Sequence, residues 1–303
     1  MSADRSGPKR GSKPLAMAGG PPPPRPAPTP AEVRESLIPG VKYVIPVASG
    51  KGGVGKSTVS ANIALALAAD GARVGIMDGD VYGPSIPLIL GVKDKPTPGP
   101  NGLLPVERYG IKVISMSFFL PPGEALIWRG PMLSKTIDQF LGGVEWGELD
   151  YLIVDLPPGT GDIQLSLCQK IPLTGAVIVS TPQDAALRVA ERAVFMFQKL
   201  KCPILGIVEN MSHFLCPSCG NREEIFGSGG CRKTGERLGI AFLGEIPLDT
   251  QIRIDSDRGR PTVIDAPESP QALAFRQIAE NLVARIESQA KETARSGETR
   301  ITF

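Results

Sequence analysis

Seven short apolar runs alternate with helical patterns along this chain, and that alternation predicts an α/β fold, a doubly wound, mostly parallel sheet flanked by helices. Three observations carry the prediction. Strand-like runs stand at residues 43–48, 73–78, 111–115, 151–155, 175–180, 204–209 and 241–246, and several are almost wholly apolar, as expected of strands covered on both faces. Residues 56–69, 132–141, 162–170, 184–200, 232–238 and 271–290 repeat apolar side chains at helical spacing. Glycine-rich or acidic loops follow several of the strands, at the carboxyl edge where open α/β sheets bind their ligands.

The composition fits one large domain with tails. Of 303 residues, 42% are hydrophobic and 21% charged, and the net charge of +2 gives no sign of a nucleic-acid partner. No apolar run approaches the roughly 20 residues of a membrane span, so no membrane partner is expected. Residues 1–38 are rich in proline, including Pro21-Pro22-Pro23-Pro24, and lack the periodicity needed to bury a core. They read as a disordered or polyproline segment, with neither the apolar core of a secretory signal nor the amphipathic helix of a transit peptide. The ordered domain is expected over 39–290, with a polar, frayed tail over 291–303. Five cysteines without a signal peptide indicate a reducing, cytoplasmic setting and free thiols or metal ligands rather than disulfides.

The first strand runs into Gly50-Lys51-Gly52-Gly53-Val54-Gly55-Lys56-Ser57-Thr58, and a helical pattern follows. Strand, glycine loop and helix in that order make a phosphate-binding loop. Its backbone N–H groups turn inward onto phosphate oxygens, and the helix N-terminus adds partial positive charge. Lys56 is placed to reach the β- and γ-phosphates and Ser57 to ligate Mg²⁺. The second lysine, Lys51, is an addition to the ordinary motif.

Two further strands end in carboxylates. Asp78-Gly79-Asp80 stands where it could place water or Mg²⁺ near the γ-phosphate, although acidic residues also open ordinary surface loops. Asp155 closes an apolar strand in the Walker B manner, a second Mg²⁺ position, and Gly159 beyond it offers a backbone N–H that could sense the γ-phosphate. Asn210 and Asp249 follow later strands and could bond a base edge, a weak signal because such residues commonly follow strands.

Cys216-Pro217-Ser218-Cys219 supplies half of a four-thiolate set, which two copies meeting at a symmetry axis would complete. Other readings stand beside it. A redox dithiol is disfavoured by the absence of a thioredoxin-like setting. A zinc site within one chain would draw on His213, Cys216, Cys219 and Cys231. Inert structural thiols are a third reading, and Cys168 and Cys202 read as apolar fillers.

Taken together, the motifs carry a family resemblance. The phosphate loop resembles the deviant Walker A of the MinD/ParA/ArsA/nitrogenase iron protein class. Asp78–Ser85, Trp128-Arg129-Gly130-Pro131, Asp155–Asp162 and the cysteine pair make the chain similar to the Mrp/ApbC iron–sulfur cluster carrier ATPases, from about Pro39 to Arg285. The resemblance implies a homodimeric ATPase that uses ATP and Mg²⁺ and passes a [4Fe-4S] cluster to apo iron–sulfur proteins. It implies that Lys51 reaches across the dimer to the partner's nucleotide and that Asp80 orients the attacking water. It further implies Asn210 and Asp249 beside the adenine, and Cys216 and Cys219 bridging the cluster between subunits. The four-cysteine N-terminal motif of the related cytosolic scaffolds is missing, and Cys231 stands where another residue is expected. The competing reading is a MinD/ParA-like positioning ATPase with structural zinc. Against it stand the near-neutral charge and the lack of a basic amphipathic C-terminal helix.

Overall fold

A computed structural model describes residues 38–80, 83–119, 140–161, 164–165, 170 and 173–296. All seven expected strands are present in one eight-stranded sheet, in the order β12-β9-β8-β1-β7-β2-β6-β5. They are β1 (Val41–Ser49), β2 (Val74–Asp78), β6 (Ile111–Ser115), β7 (Leu149–Asp155), β8 (Ala176–Ser180), β9 (Ile204–Asn210) and β12 (Phe242–Ile246), and every pairing among them is parallel. The eighth, β5 (Val106–Arg108), adds antiparallel to β6 and was not legible in the sequence pattern. Two small hairpins stand apart from the sheet: β3 (Thr97–Pro98) with β4 (Leu103–Leu104), and β10 (Phe214–Leu215) with β11 (Arg222–Glu223).

Alternation along the central strand explains the two-layered core. Val44 and Ala48 face one apolar cluster with Ala190, Val194 and Phe197 of helix α3 (Asp184–Lys199). Ile45 and Val47 face the other, with Val59 and Ile63 of helix α1 (Lys56–Ala69) and Phe275 and Ile278 of the C-terminal helix. Helix α1 is buried on nearly all sides because it lies between the sheet and that C-terminal helix, which is why it is apolar all round rather than striped. Pro46 sits in a central strand without cost to the ladder. Its β8 neighbour pairs only from Val47 onward, so the missing N–H falls where no partner is in place.

Further helices among the described residues are α2 (Ile86–Ile89), α4 (Gly230–Leu238), α5 (Thr250–Asp257), α6 (Thr262–Asp265) and α7 (Pro270–Ser296). Helices α5 and α6 are too short to show a helical period in the sequence. Helix α7 continues to Ser296, past the end of its apolar periodicity at Ala290. The expected helices over 132–141 and 162–170, the Trp128–Pro131 motif and Cys168 lie largely or wholly outside the described residues. Among those residues, no helix is long and apolar enough to cross a membrane.

Candidate functional site

The parallel strands present their carboxyl ends to one edge of the sheet, and the phosphate loop lies there between β1 and α1. Two glycines show why the loop takes this course. Gly50 packs against the backbone of α3, where a Cβ would come within 2.3 Å of the Val189 carbonyl carbon. Gly55 caps α1 in the left-handed region (φ 77°), and a Cβ there would lie 2.2 Å from the Asn210 side-chain nitrogen.

Asp155, fully buried at the end of β7, gathers polar side chains from the first turns of α1. Its Oδ2 accepts from Lys56 Nζ at 2.7 Å and from Ser57 Oγ at 2.6 Å, and its Oδ1 accepts from Ser60 Oγ at 2.6 Å. Ser60 is one helical turn beyond Lys56 and was not singled out from the sequence; a hydroxyl inside an otherwise apolar helical run was the available signal. Lys56 is nearly buried and lies 3.9 Å from Asp80 as well. An anionic carboxylate and a hydroxyl oxygen this close are the hard oxygen donors that Mg²⁺ prefers, so Ser57 and Asp155 fit the expected metal position.

The two carboxylates of the Asp78-Gly79-Asp80 turn have different surroundings. Asp78 is buried and accepts three hydrogen bonds, from Ile86 N at 3.1 Å, Asp80 N at 3.2 Å and Ser115 Oγ at 2.9 Å. Burial, then the negative charge of Asp155, push its carboxyl up to about 7, while those hydrogen bonds pull the other way. It therefore shapes the turn. Asp80 lies on the wall of an open cleft of about 490 Å³ and accepts the Gly83 N–H at 3.2 Å.

Loop residues Lys51, Gly52, Gly53, Val54, Gly55, Lys56, Ser57 and Thr58 line the same cleft, together with Asn210 and Asp249. Both of those side chains also hold structure: Asn210 donates to Val54 O at 2.8 Å, and Asp249 caps α5 by accepting Gln251 N at 2.6 Å. Lys51 is exposed. Gly159 donates its N–H to Ser49 O at 2.9 Å, so a sensing role requires it to exchange that bond.

The cysteine pair does not line this cleft. It forms the tip of the β10–β11 hairpin, closed by Cys216 N→Asn221 O at 2.9 Å and Gly220 N→Cys216 O at 2.8 Å. Cys216 is half-buried and Cys219 exposed. Backbone N–H groups of Ser218 and then Cys219, followed by the Cys219 thiol, point at the Cys216 sulfur and hold its pKa below the usual thiol value. Cys231 is fully buried on α4, where burial and the charge of Glu209 push its thiol well above the usual range. Cys202 is buried, as its place before a strand suggested. The set His213, Cys216, Cys219 and Cys231 does not converge. Among the described residues no three histidine, cysteine or acidic side chains gather where they could hold a metal ion.

Comparison with known proteins identifies the family and the fold. The family model for ParA-type proteins described as the NUBPL iron-transfer P-loop NTPase matches residues 40–283. The chain is 54% identical to the iron–sulfur cluster carrier protein of Deinococcus radiodurans, over 83% of this chain and 72% of that one. It is 50% identical to the iron–sulfur cluster transfer protein NUBPL of Mus musculus, over 84% of this chain and 81% of that one. Among solved structures, a nucleotide-binding protein of Archaeoglobus fulgidus in complex with ADP superposes with a TM-score of 0.70 at 44% identity, covering 82% of this chain and 96% of that one. The cell division ATPase MinD of Pyrococcus furiosus shares the fold, with a TM-score of 0.61 at 24% identity and coverage of 80% and 98%.

Proposed function

Because this chain belongs to the NUBPL-type iron-transfer family of P-loop NTPases, we propose that it is an ATP-hydrolysing carrier that holds an iron–sulfur cluster and hands it to apo-proteins. The observation that carries the reading is the exposed hairpin bearing two thiols, Cys216 and Cys219, one of them already biased toward thiolate. Two thiolates are half of a cluster's ordinary complement, so the cluster lies between two copies of the chain. Leu215 and Ile225, 47% and 54% exposed beside the pair, give that contact an apolar surface. A [4Fe-4S] cluster is the cargo we favour, and the cytoplasm the compartment.

In the nucleotide site, Lys56 exchanges its Asp155 partner for phosphate oxygens. Ser57 and Asp155 would hold Mg²⁺, which when bound neutralises phosphate charge. Asp80 orients the attacking water from the wall of the cleft, and the exposed Lys51 reaches the nucleotide of the second copy. Asn210 and Asp249 stand at the adenine side.

Anaerobic reconstitution with iron and sulfide tests the reading. The wild-type chain is expected to gain the broad visible absorbance of a thiolate-bound cluster, with one cluster per two chains. Cys216→Ala and Cys219→Ala are each expected to abolish it. A double variant that keeps a full cluster would remove the proposed site.

A further inference from the structure

The segment that carries Cys216 and Cys219 leaves β9 after Asn210 and runs to Gly229, the N-cap of α4, and one buried carboxylate holds both ends. Glu209, fully buried near the end of β9, accepts from Ser212 Oγ at 2.9 Å, from Gly229 N at 2.9 Å and from Cys231 N at 2.8 Å. The next residue, Asn210, points to the opposite side of the strand and touches the phosphate loop through Val54 O and Gly55. Neighbouring residues of one strand thus grip the nucleotide loop and the root of the cysteine hairpin. Between Asn210 and Ser212 stands Met211 with φ 56°, a left-handed conformation that a non-glycine residue adopts only when its surroundings hold it there.

We propose that Glu209, together with a Ser212 hydroxyl that it shares with Glu245, is a positioning element coupling the phosphate loop to the cysteine hairpin. The proposal rests on the carrier reading above and names how its two sites communicate.

Ser212 Oγ lies 2.9 Å from Glu209 Oε1 and 3.1 Å from Glu245 Oε2, but a hydroxyl has one proton to donate. It therefore has two arrangements. In one it bonds the buried Glu209, in register with the ends of the hairpin segment. In the other it bonds the half-exposed Glu245, which also faces Arg222 of β11 at 3.7 Å and His213 at 3.8 Å. A discrete pair of arrangements is the kind of element that both sites can bias. When nucleotide draws Val54 and Gly55, Asn210 moves with them. The left-handed turn at Met211 passes that shift to Ser212, and the hairpin tip changes its exposure.

The alkylation rates of Cys216 and Cys219 with iodoacetamide, in cluster-free protein with and without MgADP, test this directly. In the wild type, MgADP is expected to change those rates by about fivefold or more, the lower end of ordinary coupling between sites. Ser212→Ala removes only the shared hydroxyl and is expected to shrink the change to within about twofold while MgADP affinity stays the same within about threefold. Glu209→Gln, which puts an amide against backbone N–H donors, is expected to do the same and in addition to raise the MgADP-free alkylation rate. A wild type indifferent to MgADP, or a Ser212→Ala variant with the full wild-type response, overturns the proposal. Should Glu209→Gln fail to fold, Ser212→Ala decides alone. Iron and sulfide binding is measured separately. A wild type that responds to MgADP but binds no cluster removes the carrier reading and leaves the coupling standing. Cluster binding without a thiol response does the reverse.

Discussion

Asp150 and Asp155 belong to the same strand, β7, at opposite edges of the sheet, and their surroundings separate a fold-holding carboxylate from a site-building one. At the amino edge, Asp150 meets Arg73 in the open. It accepts the Arg73 backbone N–H at 2.9 Å, Nε at 3.1 Å and Nη2 at 3.0 Å. Solvent reaches both partners, so the pair is screened and contributes little. At the carboxyl edge, Asp155 is sealed under Lys56, Ser57 and Ser60, and solvent reaches none of its surface. The chain crosses one sheet between them. Parallel topology accounts for the contrast: the carboxyl ends of the seven parallel strands converge on the edge where the phosphate loop lies, and acidic ends there must find donors within the protein.

The largest expected effect comes from removing the buried member. Asp155→Ala leaves the nearly buried Lys56 ammonium without its 2.7 Å partner, with Asp80 at 3.9 Å as a poor substitute. Breaking a buried pair from one side costs about 3–5 kcal/mol. Urea unfolding of the nucleotide-free protein is expected to show that loss, and MgADP titration to show no binding. A variant within about 1 kcal/mol of wild type would mean that the pair is not desolvated as its burial indicates.

The contrast also marks where sequence reasoning reached and where it stopped. The strands were legible because they are apolar on both faces, and the phosphate loop because its glycines and lysine keep a fixed spacing between strand and helix. The edge strand β5 was not, since a three-residue run with two exposed charged residues carries no alternation to read. Nor were α5, which is short and largely polar, and α6, whose four residues are too few to show a period. Asp78 and Asp155 could be named as strand-ending acids, but their difference from Asp80 and Asp150 could not. The donors that bury Asp78 are a backbone N–H at Ile86 and a hydroxyl on another strand at Ser115, and neither leaves a pattern near residue 78. Glu209 was hidden for the same reason: two of its three partners are backbone N–H groups at 229 and 231, beyond the cysteine hairpin. The cysteines announce themselves, but the residue that anchors their loop reads as an ordinary strand-end glutamate.

Asp78 gives an intermediate effect, with a sign opposite to that of an exposed carboxylate. Its pKa in the folded protein is about 7, raised above the ordinary carboxylate value first by burial and then by Asp155. The protonated form is therefore favoured by folding. The stability it contributes is complete in acid, below the unfolded carboxylate range, and is lost as pH rises through about 7. Asp78→Asn cannot ionise and escapes that loss, though its amide serves the three donors less well. Relative to wild type, the variant should become more stable as pH is raised from about 5 to about 8, whatever its stability at either end. Denaturation midpoints at the two pH values check this, and an unchanged difference would show that Asp78 ionises without penalty.

Asp150 should show the smallest effect, and it sharpens the comparison by its sign. The Arg73 guanidinium and backbone N–H hold its carboxyl at about 2, below the ordinary value. A depressed carboxylate contributes stability above its unfolded pKa, and that contribution disappears as pH falls through about 2. Asp150→Asn is therefore expected to lower Tm near neutral pH by no more than about 2–4 °C, with MgADP affinity unchanged. Its difference from wild type should narrow on acidification, whereas that of Asp78→Asn moves in the opposite sense across the neutral range. High salt should shrink the Asp150 effect further, because solvent reaches the pair, and leave the Asp155 effect nearly intact. A neutral-pH loss at Asp150 as large as that at Asp155 would mean that the two edges of the sheet are not so different, and that the amino edge also carries a desolvated charge.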